Sequence, residues 1–304
     1  MNALEITQLQ KIYPNGVHAL RGINLNVKKG DFFALLGANG AGKSTAIGLI
    51  TTLLTKTSGT IKIYGYDLQT QAAEAKSHIG LVPQEFNLNI FEGCEKILIN
   101  QAGYYGIPYG KAKIKAKKLL QQLSLWEKRD EIVRNLSGGM KRRLMIARSL
   151  MHSPKVLILD EPTAGVDIEI RRDMWHFLAQ ENSRGTTIIL TTHYLEEAEQ
   201  LCKNIAIIDQ GSIIENTSMK TLLKSLHHQT FVLDTIEPIT KLPVIENLVM
   251  TQRDEHSFEV RVDKCISLND VFAQLSKHNI QIQSMRNKTN RLEELFMDLI
   301  NNEK

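Results

Sequence analysis

Cysteine is scarce in this 304-residue chain: Cys94, Cys202 and Cys265 stand alone, with no Cys-x-x-Cys pair. That spacing argues against a disulfide framework or a zinc site and fits a reducing cytosol. Long apolar runs are missing as well. No stretch approaches the roughly 20 residues that span a bilayer, so any membrane role has to come through a partner. The first seven residues alternate like a strand and lack the layout of a signal peptide. No internal repeat and no low-complexity tract is present. A one-sided charge is also absent. The net +4 weakly favours acidic partners, such as nucleotides or an anionic membrane surface, without demanding nucleic acid. What remains, 42% apolar and 23% charged residues, is an ordinary globular composition. The length suits one large or two ordinary domains.

Glycine is concentrated at one place. Residues 37–44 read Gly37-Ala38-Asn39-Gly40-Ala41-Gly42-Lys43-Ser44, followed by Thr45. Three glycines let the backbone turn tightly and aim its N–H groups at phosphate oxygens. Lys43 supplies a point charge for β- and γ-phosphates, and the Ser44 hydroxyl is placed to ligate Mg²⁺. An apolar stretch, Phe32–Leu36, precedes the loop and a helical run over 45–54 follows it, so a helix dipole adds to the anion site. This pattern implies binding of a nucleoside triphosphate.

Residues 3–9 and 23–27 alternate apolar and polar positions, as half-buried antiparallel strands do. From Phe32 onward short apolar strands are separated by helices, with strands expected at 32–36, 60–64, 79–82, 155–159, 186–191, 204–209 and 212–215. The continuous runs Val156–Leu159 and Thr187–Leu190 suit parallel strands buried on both faces. Between Pro83 and about Arg134 only helical periodicity appears, over 90–103 and 112–123, which predicts a helical insert. Past Leu226 the character changes to strands near 230–235, 247–251 and 257–262, a helix at 268–277, a strand at 280–285 and a closing helix at 291–300. That helix places Leu292, Leu295, Phe296, Leu299 and Ile300 on one face. The junction is expected at 227–229.

The strand 156–159 ends in Asp160-Glu161-Pro162. By itself an acidic pair at a strand end reads as a solvated cap. With residues 37–44 in the same chain it reads as an Mg²⁺-facing carboxylate, Asp160, followed by a carboxylate able to hold a water in line with the γ-phosphate, Glu161. Leu136-Ser137-Gly138-Gly139-Met140 puts a capping serine and two glycines at the start of a helix over 140–151, a second anion-binding helix terminus. Alone it would be an ordinary capped helix. Placed shortly before the Asp160 strand, it makes the chain resemble the nucleotide-binding subunits of ABC transporters. The likeness is greatest to the branch serving ABC-2 type exporters and, within it, to YadG-type bacterial subunits. Matching elements run from about Leu4 to Leu226, with Asn290–Phe296 similar as well.

That resemblance implies roles at matching positions. Tyr13 corresponds to the aromatic that stacks on adenine, although a lone strand tyrosine otherwise reads as core. Gln84 corresponds to the glutamine that touches Mg²⁺ and the water and leads into the helical subdomain. His193, ending the Thr187–Thr191 strand run, corresponds to the histidine at the γ-phosphate. Ser137, Gly138, Gly139 and Asp167 correspond to groups that reach the nucleotide of a second copy. Catalysis is thus expected from Glu161, His193 and Lys43, with Mg²⁺ held by Ser44, Gln84 and Asp160. Two departures stand out. Met140 replaces the usual glutamine, and a thioether cannot donate to a ribose. Ala164 replaces the usual serine before Asp167.

The expected architecture is an α/β phosphate-loop ABC ATPase cassette over 1–226. It has a mainly parallel core sheet, an antiparallel strand layer and a helical subdomain at about 85–134. A small accessory α/β domain follows over 227–304. The expected function is ATP hydrolysis by a homodimer that energises a separately encoded membrane permease from the inner, cytoplasmic face of the membrane. A soluble ABC ATPase acting on nucleic acid or ribosomes is the rival. Such proteins usually carry two cassettes, long coiled-coil arms or zinc-binding cysteines, and this chain has none of these. The lysines at 111, 113, 115, 117 and 118 scatter around a helix and read as a solvated surface, as does Lys141–Arg143, so no nucleic acid is expected. The transported substrate is not legible. The residues just after Gln84, with Phe86, Leu88 and Ile90, suit an exposed edge that receives the permease.

Overall fold

The computed structural model describes residues 1–192, 194–224, 228–239, 241–245, 248–263, 266–288 and 292. Contacts divide the chain into two units, Met1–Ser218 and Met219–Lys304. The division thus precedes the 227–229 stretch expected as the junction.

The first unit begins with β1 (Asn2–Ile12), β2 (His18–Lys28), β3 (Phe32–Leu36) and α1 (Lys43–Ile50). Next come β4 (Ser58–Ile63), β5 (Tyr66–Asp67), α2 (Ala72–Ser77) and β6 (Ile79–Val82). The insert holds α3 (Cys94–Tyr104) and α4 (Tyr109–Gln122) and leads to α5 (Gly138–Ser149). The unit closes with β7 (Val156–Asp160), α6 (Ile168–Ser183), β8 (Thr187–Thr191), α7 (Leu195–Leu201), β9 (Asn204–Asp209) and β10 (Ser212–Ser218).

Two sheets result. The alternating strands form an antiparallel sheet in the order β2-β1-β4-β5. The segment expected as a strand at 60–64 therefore belongs to this layer as β4, paired antiparallel with β1. The apolar strands form a six-stranded sheet, β10-β9-β3-β8-β7-β6, parallel except for the β9–β10 edge. Every residue of β3, β7 and β8 is buried, as continuous apolar runs covered on both faces require. The nucleotide elements follow the C-terminal ends of these central strands, where a crevice opens in sheets of this kind. Asp160 and Thr191 are paired neighbours there.

The insert is helical, but α3 starts at Cys94 rather than at 90. Extended backbone at Gly93 forms an isolated bridge with Ile132, which delays the helix. Among the described residues no helix is long and apolar enough to cross a membrane.

The second unit holds α8 (Met219–Lys224), β11 (His228–Thr235), β12 (Val249–Gln252), β13 (Ser257–Asp263), α9 (Leu268–Lys277) and β14 (Ile282–Asn287). Its antiparallel sheet has the order β12-β13-β11-β14. One core of Phe231, Leu233, Phe258, Val260, Val271 and Leu275 packs α9 on that sheet. The expected closing helix lies outside the described residues, apart from Leu292.

Candidate functional site

The phosphate loop leaves β3 and enters α1. A Cβ on Gly37 would lie 2.3 Å from the Ile208 carbonyl oxygen, so only glycine fits against β9. Gly42 combines a φ of +115° with an approach of 2.8 Å to the Ala19 carbonyl oxygen, which excludes any side chain on both counts. Ala38, Asn39 and Gly40 form an exposed crest. Lys43, only 6% exposed, turns its ammonium inward. It donates to the carbonyls of Gly37 at 2.8 Å and Ala38 at 3.0 Å. Burial lowers its pKa, while the carboxylates of Glu161 and Asp160 act to raise it. The ammonium is thus held by its own loop, within electrostatic reach of both acids. Ser44 is exposed at the first turn of α1. Beside it, the Thr45 hydroxyl lies 3.4 Å from the Tyr13 hydroxyl. Lys11 stands over the Tyr13 ring at 5.0 Å.

The two acids are set by β8. The Thr191 hydroxyl donates to Asp160 Oδ1 at 2.5 Å. The Glu161 N–H donates to the Thr191 carbonyl at 3.0 Å and to its hydroxyl oxygen at 3.2 Å. Burial raises the Asp160 carboxyl above its ordinary value. The Thr191 bond and the charges of Lys43 and Arg142 work against that rise. Glu161 sits at φ +48°, a left-handed conformation that few residues other than glycine adopt. Gln84 reaches it from the end of β6, its side-chain N–H donating to Glu161 Oε2 at 3.3 Å. The Ser44 hydroxyl, Asp160 carboxylate and Gln84 amide oxygen make an all-oxygen donor set, which fits a hard cation such as Mg²⁺. No group of three His, Cys, Asp or Glu side chains able to hold a metal occurs among the described residues. An ion here would therefore need phosphate oxygens to complete its shell.

Ser137, Gly138, Gly139 and Asp167 are not joined to this cluster; no hydrogen bond links them to residues 37–45 among the described residues. Ser137 caps α5, its Oγ accepting from the Met140 N–H at 3.3 Å. Gly139 packs on Ile170, whereas a Cβ on Gly138 would meet nothing. Asp167 is exposed at the start of α6 and makes no side-chain cap. His193 lies outside the described residues.

Three sequence readings need correction. Arg142 is not part of a solvated charge run: it is 3% exposed. Helical spacing puts it on the inward face with Met145 and Ile146. Its guanidinium donates to the carbonyls of Pro83 and Gln84, both at 2.7 Å, and stacks over Phe86 at 4.9 Å. The signature helix thereby grips the segment that carries Gln84. Leu88 does not belong to the exposed edge after Gln84; it is buried, while Phe86 (49%), Ile90 (44%) and Phe91 (71%) are exposed. Nor do all the α4 lysines scatter. Lys111, Lys115 and Lys118, at i, i+4 and i+7, line one cavity of about 620 Å³ with Lys155 and Arg184. That cavity adjoins the N-terminal ends of β7 and β8, the edge opposite the phosphate loop.

Thr191 and Arg142 are the functional residues that motif reading missed. Thr191 carries a weak signal, a hydroxyl closing an apolar strand. Arg142 carries none without the helix phase.

Comparison with known proteins followed the same lines. A family model described as ABC transporter matches residues 20–164. The chain is 36% identical over 304 residues to the linearmycin resistance ATP-binding protein LnrL of Bacillus subtilis (strain 168), covering 97% of each. It is 34% identical to the Nod factor export ATP-binding protein I of Paraburkholderia xenovorans (strain LB400), over 99% of this chain and 98% of that one. A solved ATP-binding subunit of an ABC transporter superposes with a TM-score of 0.68 at 27% identity, over 73% of this chain and 92% of its own.

Proposed function

Because the chain belongs to the ABC transporter family of ATP-binding subunits, we propose that it hydrolyses ATP to drive an ABC-2 type exporter by closing and reopening a dimer of itself on a membrane permease. Its relatives of near-equal length are named for drug resistance and for Nod factor export, and this reading follows them. The motif likeness favours the YadG-type subunits within that branch. The observation that carries the reading is the buried Lys43 ammonium, held by the Gly37 and Ala38 carbonyls of its own loop within electrostatic reach of Asp160 and Glu161.

The residues divide the chemistry. Entering phosphates displace the Gly37 and Ala38 carbonyls as partners of Lys43, and the loop N–H groups bind the remaining oxygens. Tyr13, beside Thr45, stacks on the base. Glu161 accepts a proton from the attacking water and Gln84 orients both, since its amide already reaches the carboxylate. His193 contacts the γ-phosphate. Ser44, Asp160 and Gln84 would hold Mg²⁺, which would supply neutralising charge for the transferring phosphoryl group. Lys43 and the backbone N–H groups stabilise the same charge from the other side. Ser137, Gly138, Gly139 and Asp167, which no hydrogen bond joins to their own loop among the described residues, complete the site of the second copy. Release of phosphate from ATP by the purified chain, lost on chelation of Mg²⁺, is the direct test.

Coupling to the permease runs through the insert. A cleft of about 250 Å³ lies between core and insert, lined by Leu53, Pro83, Asn87, Gln101 and Tyr105. Leu53 is exposed, and Arg148 fixes Asn87 at its mouth. Arg142 ties this edge to the signature helix, so nucleotide-driven rotation of the insert would carry the cleft with it. A short helix of the permease fits here. Cysteine at position 53 or 89, in a Cys265→Ser background, should cross-link to co-expressed permease. Cys94 and Cys202 are buried, and burial raises the Cys94 thiol to about 11, so they add little background. A cross-link from Lys203→Cys, at the opposite strand edge, with none from 53 or 89 would refute the placement.

A further inference from the structure

The reaction elements leave one fully buried carboxylate unused. Glu197, on α7, has no exposed surface. Its Oε1 accepts from the Thr163 hydroxyl at 3.0 Å and from the Trp175 indole N–H at 2.8 Å. Thr192 stands beside it, its hydroxyl oxygen taking the Tyr194 N–H at 3.0 Å. No hydrogen bond reaches Glu197 Oε2 among the described residues. Arg171, the nearby cation, donates instead to the Val166 carbonyl and stacks on Tyr194 at 4.6 Å. Burial raises the Glu197 carboxyl above its ordinary value, against the pull of Thr192, Trp175, Thr163 and Arg171.

A buried acid without an ion pair weakens a fold unless its bonds achieve something else. Here the Thr163 and Trp175 bonds tie two segments to α7, and the Thr192 side chain, which also pulls on the carboxyl, brings a third beside it. Thr163 follows Glu161 by two residues and opens the loop that ends at Asp167. Thr192 adjoins His193. Trp175 lies on α6, which begins just after Asp167.

We propose that Glu197 is a positioning residue that locks the 161–167 loop to the strand end at Thr191 and Thr192, so that the candidate base and the trans-acting Asp167 keep one placement relative to that strand end through the cycle. This deepens the ATPase reading and rests on it. Glu197 is fully buried and acts through Thr163. The Trp175 bond is scaffolding, whereas the Thr163 bond transmits position to Glu161.

That division separates the variants. Thr163→Val should lower kcat for ATP by about tenfold or more, the scale of a small misplacement of reacting groups, with KM changed less than about twofold. Trp175→Phe, which like Thr163→Val removes one hydrogen bond to Glu197, should lower Tm about as much as Thr163→Val does yet keep kcat near wild type. Glu197→Leu should combine both losses. Glu197→Gln, whose amide oxygen can still accept both bonds, should recover most of kcat. Hydrogen exchange in ATP-free protein gives a readout independent of turnover: Glu197→Leu or Thr163→Val should speed exchange in 161–167 and 191–194 together. Wild-type kcat in Thr163→Val would overturn the proposal and leave the ATPase reading standing. So would kcat losses that merely track Tm across the set, or faster exchange confined to α7. An inactive wild type would instead remove the ATPase reading, and the exchange pattern alone would then decide whether Glu197 couples the two segments.

Discussion

Replacement of Glu161 by Gln is expected to lower ATP turnover by about 10²–10⁴, the range a positioned general base contributes, while ATP binding stays near wild type. The amide keeps the size of the side chain and the left-handed backbone at 161, and it removes only the proton acceptor. The ATP-bound dimer should therefore accumulate and be visible by size exclusion. Lys43→Ala should fail differently. Losing a charge-assisted contact of about 2 kcal/mol weakens ATP binding roughly 30-fold, so no dimer forms at comparable ATP. If Glu161→Gln turns over ATP at the wild-type rate, the base lies elsewhere.

Ser137→Arg tests the second half of the composite site. Ser137 is exposed, and among the described residues its side chain bonds to the Met140 N–H alone, the cap, while its carbonyl accepts from the Lys141 N–H. Losing a cap costs about 1 kcal/mol, too little to unfold the protein. Affinity of the isolated chain for ATP should therefore hold within about fivefold, the factor that the same small energy represents. Dimerisation with ATP should disappear, and turnover should fall by about 10²-fold, the scale of lost phosphate donors. Mixing this variant with Lys43→Ala allows at most one complete site per pair, which should return partial activity. Loss of ATP binding by the lone Ser137→Arg chain would place the segment in its own pocket instead.

What the sequence revealed of this site follows from how locally each part is specified. Residues 37–45 form their cradle from consecutive backbone, so spacing alone exposes them. Asp160 and Glu161 could be read because four apolar residues end at a carboxylate. Thr191 was named only as a neighbour of His193, since its bonds to Asp160 and Glu161 exist through pairing of β7 with β8, residues thirty positions apart. Arg142 looked like solvent-facing charge because its partners, the carbonyls of Pro83 and Gln84, leave no trace in side-chain pattern. Leu88 reads as surface in a loop and is covered only by tertiary packing. The alternation of β1, β2 and β4 announced strands, but which sheet β4 joins is decided by pairing.

The left-handed turn at Glu161 has a consequence for how this enzyme can change. A side chain held at positive φ costs about 1 kcal/mol or more relative to glycine. Glycine at 161 would relax the local backbone and remove the carboxylate proposed as the base. Gln and Ala there inherit about the same local cost as Glu, so comparing them at this position reports chemistry rather than folding. Selection for thermal robustness and selection for turnover thus pull in opposite directions at a single residue. A lineage freed from the need to hydrolyse ATP at one of two paired sites would be expected to surrender this carboxylate before it surrendered Lys43.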